Sequence, residues 1–222
     1  MALSYPSPCL INFDRSEDSL IGSLGMENIM RDRIVAPVGE ITYPVAKQLL
    51  TQFEADVNQA KQLQQAGVVK SLIIDGGPLA EDIITIVTLE ENDNKNNTYR
   101  YATRNAYITN LFNDLNESGL NAVWLSKAKP LWVNNNKVAG QYIPNCHDDI
   151  PFMVNVNIFT RTKPKPPLGI GLDFFGVIGM NSANPAVTNL EVASLDYTGI
   201  LNLLWPELAV VAEAEAVVSG ES

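Results

Sequence analysis

Residues 44–66, PVAKQLLTQFEADVNQAKQLQQA, carry the pattern that most constrains the fold. Thr42 suits the N-cap of a helix, Pro44 fits its first turn, and Gly67 is a natural C-terminal stop. The apolar residues recur at helical spacing and form one stripe: Ala46, Leu49, Leu50, Phe53, Val57 and Ala60. This stripe predicts a helix that packs on a sheet, the alternative being a helix that binds a partner.

Most other patterned segments predict β-strands. They are VVKSLIID (68–75), EDIITIVTLEE (81–91), TYRYATR (98–104), LNAVWLS (120–126), PLWVN (130–134), KVAGQYI (137–143) and FMVNVNIFT (152–160). A second amphipathic helix is predicted over 105–119. Because the strands come in runs, without a βαβ alternation, we expect an α+β fold. It is a mostly antiparallel sheet with two amphipathic helices packed on it and extended arms at both ends.

The two ends of the chain lack a comparable period. Residues 1–20 contain two prolines among scattered apolar side chains, and TKPKPPLG (162–169) is a proline-rich linker pattern. We therefore predict an N-terminal arm over 1–32 and an α+β core over 33–162. Residues 163–222 are predicted to form the linker and a C-terminal extension or small β-rich subdomain.

Charge and motif content exclude several functions. The formal net charge is −10, which argues against tight binding to nucleic-acid phosphates or to an anionic membrane. It does not argue against a ring-shaped assembly whose central channel lets DNA pass without binding it. No run of 18 apolar residues predicts a membrane span. The sequence contains no GxxxxGK[ST], HExxH or GxSxG motif, and two distant cysteines make no disulfide framework.

The segment QYIPNCHDDIPF (141–152) contains His147, the only histidine. In an extended chain, neighbouring side chains point to opposite sides, so Cys146 and His147 are poorly placed to share one ion or one proton. A zinc site also needs ligands from a second segment. We interpret the segment as a loop. The alternatives are a hydrolase or metal-dependent enzyme using Cys146–Asp149, and a pH-sensitive contact at His147.

Two further features allow two interpretations. Asp75-Gly76-Gly77 follows an apolar strand pattern and is either a catalytic carboxylate at a strand end or a turn, which we favour. Four aromatic residues are either core residues, which we favour, or a ligand platform: Trp124, Trp132, Tyr142 and Phe152. We assign no catalytic residue, metal site or cofactor, and expect a protein that is not an enzyme.

Both ends are too apolar for solvated tails. Segments of this kind are stabilised when they lie across a neighbouring subunit, where pairing and apolar contacts offset the cost of ordering them. We therefore expect an assembly component, and expect that trimming residues 1–20 weakens association while the core stays folded. The expected interface residues are Phe13, Leu20, Phe174, Phe175, Leu203 and Trp205.

The Asn-rich, Lys-poor composition, the arms around a small α+β core and the acidic balance together resemble structural proteins of tailed bacteriophages and phage-tail-like particles. The neck, tail-completion and baseplate proteins are the nearest in kind. The resemblance implies a homo-oligomeric ring in a virion, assembled in the host cytoplasm and touching neighbouring structural proteins. A capsid decoration protein and a monomeric binding module that uses its aromatic residues are the remaining alternatives.

Overall fold

A computed structural model shows the fold and describes residues 4–13, 30–34, 39–164, 172–193 and 195–207. These residues form nine strands and five helices, which confirms a mixed α+β class. The chain divides into two compact units. The N-terminal unit is Pro6–Asp148, and the C-terminal unit combines Met1–Tyr5 with Asp149–Ser222. This division differs from the predicted boundaries at residues 32 and 162.

A four-stranded parallel sheet forms the centre of the N-terminal unit. Its order is β2-β1-β3-β4, with β1 at Pro8–Asn12, β2 at Met30–Arg33, β3 at Ser71–Asp75 and β4 at Asn121–Leu125. The last residues of the four strands lie in one register row, which we call the carboxyl edge: Arg33, Asn12, Asp75 and Leu125.

Strand β1 lies inside the range predicted as an N-terminal arm, yet it is an inner strand. It pairs with β2 on one side and with β3 on the other. Cys9, Leu10 and Ile11 are 2%, 0% and 0% exposed. Its five residues are too few to show a period, because a strand buried on both faces loses the apolar–polar alternation. Residues 8–12 therefore belong to the core of this unit.

Three helices connect the parallel strands: α1 (Tyr43–Gln65), α2 (Gly77–Glu91) and α3 (Asn97–Glu117). Helix α1 buries all six residues of the predicted stripe. Ring contacts join Phe13, directly after β1, to Phe53 on α1 at 5.5 Å between centroids. A second pair joins Phe112 on α3 to Trp124 on β4 at 5.1 Å. Right-handed crossovers from β2 to β3 and from β3 to β4 place these helices on one face of the sheet.

The strand predictions for 81–91 and 98–104 are wrong. Residues 81–91 lie in α2, where Ile83, Ile84 and Val87 are buried at helical spacing despite their β-branched side chains. Residues 98–104 lie in α3, whose N-cap Asn96 accepts a hydrogen bond from the Tyr99 N–H. The chain thus contains the βαβ units that the strand runs had excluded.

Antiparallel pairing among the described residues is confined to two smaller sheets. Strands β5 (Ala128–Val133) and β6 (Asn136–Pro144) form a hairpin in the N-terminal unit. Because the largest sheet is parallel, a mostly antiparallel sheet with two packed helices is not confirmed.

The C-terminal unit begins with the short helix α4 (Ile150–Met153). Strands β7 (Val156–Pro164), β8 (Leu172–Asn181) and β9 (Glu191–Ala193) form an antiparallel sheet, and α5 (Tyr197–Leu204) follows. Its core contains Ile178, Leu195, Ile200 and Leu204. Residues 162–164 of the predicted linker extend β7, and residues 165–169 lie outside the described residues. In the part of the chain that the structure describes, no helix has the length and apolar character needed to cross a bilayer.

Candidate functional site

The strand order of the parallel sheet contains a topological switch point. The chain leaves β1 for β2 on one side, whereas it leaves β3 for β4 on the opposite side. Strands β1 and β3 are neighbours, so the chain leaves them toward opposite edges of the sheet. Ligands of open α/β sheets bind outside the carboxyl ends of the strands at such a point. The candidate site is therefore the carboxyl edge around Asn12 and Asp75.

Asn12 and Asp75 end β1 and β3 in register with each other. The Phe13 N–H donates a hydrogen bond to the Asp75 carbonyl at 2.9 Å, which ties the two strand ends together. Asn12 is only 4% exposed, and its Oδ1 has no hydrogen-bond partner among the described residues. A buried amide oxygen without a partner is costly, so this atom is a strong acceptor for a ligand donor.

The same edge carries further polar groups. Arg33 occupies the register position beside Asn12 at the end of β2. Ser126 follows β4, and its buried Oγ has no partner among the described residues. The edge thus offers an amide, a carboxylate and a hydroxyl group.

The turn after Asp75 leads directly into α2. Gly76 has a φ of 89°, a left-handed conformation that favours glycine, and α2 begins at Gly77. A Cβ on Gly77 would lie 2.1 Å from Trp124 Nε1, so the helix start and the indole ring approach closely. The turn interpretation describes Gly76, and Asp75 is the last residue of β3. The N-terminus of α2, with its partial positive charge, lies beside the candidate site.

The loop that contains His147 follows β6 and packs on α2 and α3. The His147 main-chain N–H donates to Glu81 Oε2 at 2.6 Å. Its ring Nε2 donates to Asn105 Oδ1 at 3.0 Å, and this oxygen also accepts hydrogen bonds from the Arg104 guanidinium. The loop interpretation holds for residues 145–149, whereas 141–144 lie in β6 and 150–152 in a short helix. Side chains of α2 and α3 hold the loop in place.

Burial controls the protonation of two groups around this loop. It raises the pKa of Glu81 to about 7, and the His147 N–H only partly offsets this. It also raises the pKa of the Cys146 thiol to about 11, with a further contribution from Glu81. Since the thiolate is the reactive form, a thiol with this pKa is a poor nucleophile near neutral pH. Among the residues described, no group of three or more His, Cys, Asp or Glu side chains is arranged to hold a metal ion.

Replacing Glu81 by Gln is expected to stabilise the protein more at pH 8 than at pH 5. The folded pKa of Glu81 lies near 7 and its reference value is 4.5, so the folded state holds the extra proton between these values. Stability from this group therefore falls as pH rises through that window. After a discount for solvent screening, the stabilisation by Glu81→Gln at pH 8 exceeds that at pH 5 by on the order of 1 kcal/mol. Urea unfolding at both pH values measures it, with the exposed Glu90→Gln as control; an equal pH response in both variants would contradict it.

The residues predicted as an interface are divided between the two units. Phe13 lies in the N-terminal unit and is 7% exposed, whereas Phe174 in the C-terminal unit is 64% exposed. Phe175 lies beneath the Lys163 ammonium at 4.6 Å. Leu203 and Trp205 pack beside the C-terminal core, and Leu20 lies outside the described residues.

The four aromatic residues considered as a ligand platform or as core residues differ in their exposure to solvent. Trp124 is half-buried against Phe112 and Gly77. The other three are exposed, with Trp132 at 60%, Tyr142 at 53% and Phe152 at 74%. The core interpretation therefore holds for Trp124 alone.

Sequence reasoning missed Asn12 and Glu81. A signal for Asn12 exists, because PCLIN and SLIID are two short apolar runs that each end in a polar residue, as parallel strands leading to a site do. No comparable signal marks Glu81, which accepts its hydrogen bond from the distant His147 N–H. No family model, curated protein or solved structure matches the chain. The geometry and chemistry of the carboxyl edge therefore carry the functional proposal.

Proposed function

We propose that the N-terminal unit binds a phosphate-bearing small molecule of the nucleotide class at the carboxyl edge. The observation that carries this proposal is the switch point between β1 and β3, with Asn12 and Asp75 side by side at the two strand ends. This is the position at which open parallel sheets bind their ligands.

The chemistry of the edge supports this ligand class. Magnesium is usually held by one or two carboxylates together with the phosphates of a substrate, and Asp75 supplies one carboxylate. The N-terminus of α2 favours negative charge on the ligand. Asn12 Oδ1 can accept a hydrogen bond from a hydroxyl or amino group. Because the sequence has no GxxxxGK[ST] motif, we expect weaker phosphate binding than such a loop provides.

The Asp75→Asn variant tests this proposal. ATP with Mg²⁺, AMP, flavin mononucleotide and NAD⁺ serve as probes, and we expect at least one to raise the melting temperature of the native chain. Loss of a charged contact of about 1.5–3 kcal/mol weakens binding roughly 10- to 100-fold in the variant. Isothermal titration calorimetry measures the dissociation constant of the probe for the native chain and for the variant.

Asp93→Asn is the matched control, because the Asp93 side chain is 72% exposed and pairs with Arg100 away from the strand ends. The control variant should bind as the native chain does. If none of the four probes binds the folded native chain at millimolar concentration, the proposal is wrong.

A second candidate is the assembly function, as a subunit of a virion ring in the neck or tail of a phage-like particle. The large exposed aromatic side chains of Phe152 and Phe174 in the C-terminal unit favour it, since such side chains are frequent at protein interfaces. Light scattering coupled to size exclusion tests it. A stable oligomer supports the candidate, and a clean monomer of 24.3 kDa contradicts it.

A further inference from the structure

We propose that the β5–β6 hairpin binds single-stranded nucleic acid. The hairpin comprises Ala128–Val133 and Asn136–Pro144. This inference is independent of the carboxyl-edge ligand, because it depends on the exposed residues of the hairpin alone.

The hairpin exposes large apolar side chains to solvent. Trp132, Val133 and Tyr142 are 60%, 50% and 53% exposed. Among the described residues no third strand pairs with this sheet, and two-stranded sheets are marginally stable in water. Exposed aromatic residues on such an element are typical of a surface that binds a partner.

The charge of this segment is opposite to that of the whole chain. Residues 126–147 contain Lys127, Lys129 and Lys137 and no Asp or Glu, whereas the chain has a net charge of −10. Lys127 and Lys137 are exposed. Glu81 interacts with Lys129 at one end of the segment, so the exposed Lys127 and Lys137 supply most of the positive charge that a ligand would meet. Local charge therefore favours a polyanion here, although net charge argued against one.

The exposed aromatic residues favour a partner that has flat rings of its own, free to stack on them. On the ladder Pro130 pairs with Tyr142 and Trp132 pairs with Lys137, with a register shift between the two pairs. A lysine therefore occupies the ladder position opposite Trp132. Bases of a single strand can stack on such rings while lysines contact its phosphates. A duplex hides its base faces, and an acidic peptide has few rings to stack, so a single strand fits best.

Fluorescence anisotropy of a fluorescein-labelled dT20 oligonucleotide tests the proposal with the full chain. We expect binding at 50 mM NaCl, with a log–log salt slope of about −2 for three lysine contacts to a single strand. Trp132→Ala and Tyr142→Ala should each weaken binding about 5- to 100-fold. Lys137→Gln should make the salt slope shallower by about 0.7.

Phe152→Ala is the control, since Phe152 is an aromatic residue even more exposed, at 74%, but lies in the C-terminal unit. It should leave the affinity unchanged. Circular dichroism must show that every variant remains folded, and Trp132→Phe should retain most of the affinity by preserving a ring. Absence of dT20 binding to the folded native chain at 50 mM NaCl overturns the proposal. Equal binding of polyglutamate also overturns it and indicates an acidic protein partner instead.

Discussion

Deletion of residues 1–20 is expected to abolish the cooperative unfolding of the N-terminal unit. The deletion removes β1, which is paired on both sides, and leaves the facing edges of β2 and β3 without their partner. Burial of Leu10 and Ile11 alone contributes about 1.5–3 kcal/mol each. A domain of this size is typically stable by only about 5–15 kcal/mol, so the loss is decisive.

Far-UV circular dichroism and urea unfolding measure this result. Because the deletion also removes residues 4 and 5, which belong to the C-terminal unit and contact Tyr197, Leu10→Asn tests β1 without a deletion. Val68→Asn is its control, since Val68 is 54% exposed, and should change the free energy of unfolding by less than about 0.5 kcal/mol. A deleted chain that stays folded but loses its oligomeric state would instead support the arm expected from the sequence.

Phe53→Ala is expected to lower the free energy of unfolding by about 3–5 kcal/mol. Phe53 is 1% exposed on α1, so the substitution opens a cavity between this helix and the sheet. Denaturant unfolding followed by circular dichroism measures the loss. Phe152→Ala removes the same side chain at a position that is 74% exposed, and should change stability by less than about 0.5 kcal/mol.

A double-mutant cycle extends this test to Phe13, one of the residues expected at an interface. Its ring lies 5.5 Å from that of Phe53. We expect Phe13→Ala and Phe53→Ala to be coupled by about 0.5–1.5 kcal/mol. Additive effects, with Phe13→Ala altering only the oligomeric state, would assign Phe13 to an intermolecular contact instead.

The local patterns of the sequence predicted local structure well where one face of an element is solvated. The stripe of α1 is complete because exposed polar residues alternate with buried ones at helical spacing, and the structure buries all six predicted positions. The two prolines around residues 141–152 and the polar residues between them likewise indicated a loop at His147. In both cases the signal depends on neighbours in the chain.

The same reasoning failed where burial removes the pattern. Residues 81–91 are rich in β-branched side chains and were predicted as a strand, but packing against other helices stabilises them as α2. Strand β1 pairs with β3 across roughly sixty intervening residues, and no local pattern records such a pairing.

Composition and periodicity thus predicted a mixed α+β fold and the α1 helix, and the sequence also showed which catalytic and nucleotide-binding motifs it does not contain. Only the tertiary structure decided the parallel strand order, and with it the switch point that places Asn12 beside Asp75. It also decided the raised pKa of Glu81, because burial in the folded chain raises it while the main-chain N–H of His147, 66 residues away, partly lowers it. The physical reason is the same in each case: strand order and desolvation are set by contacts between distant segments, whereas periodicity reports only which side of an element meets water.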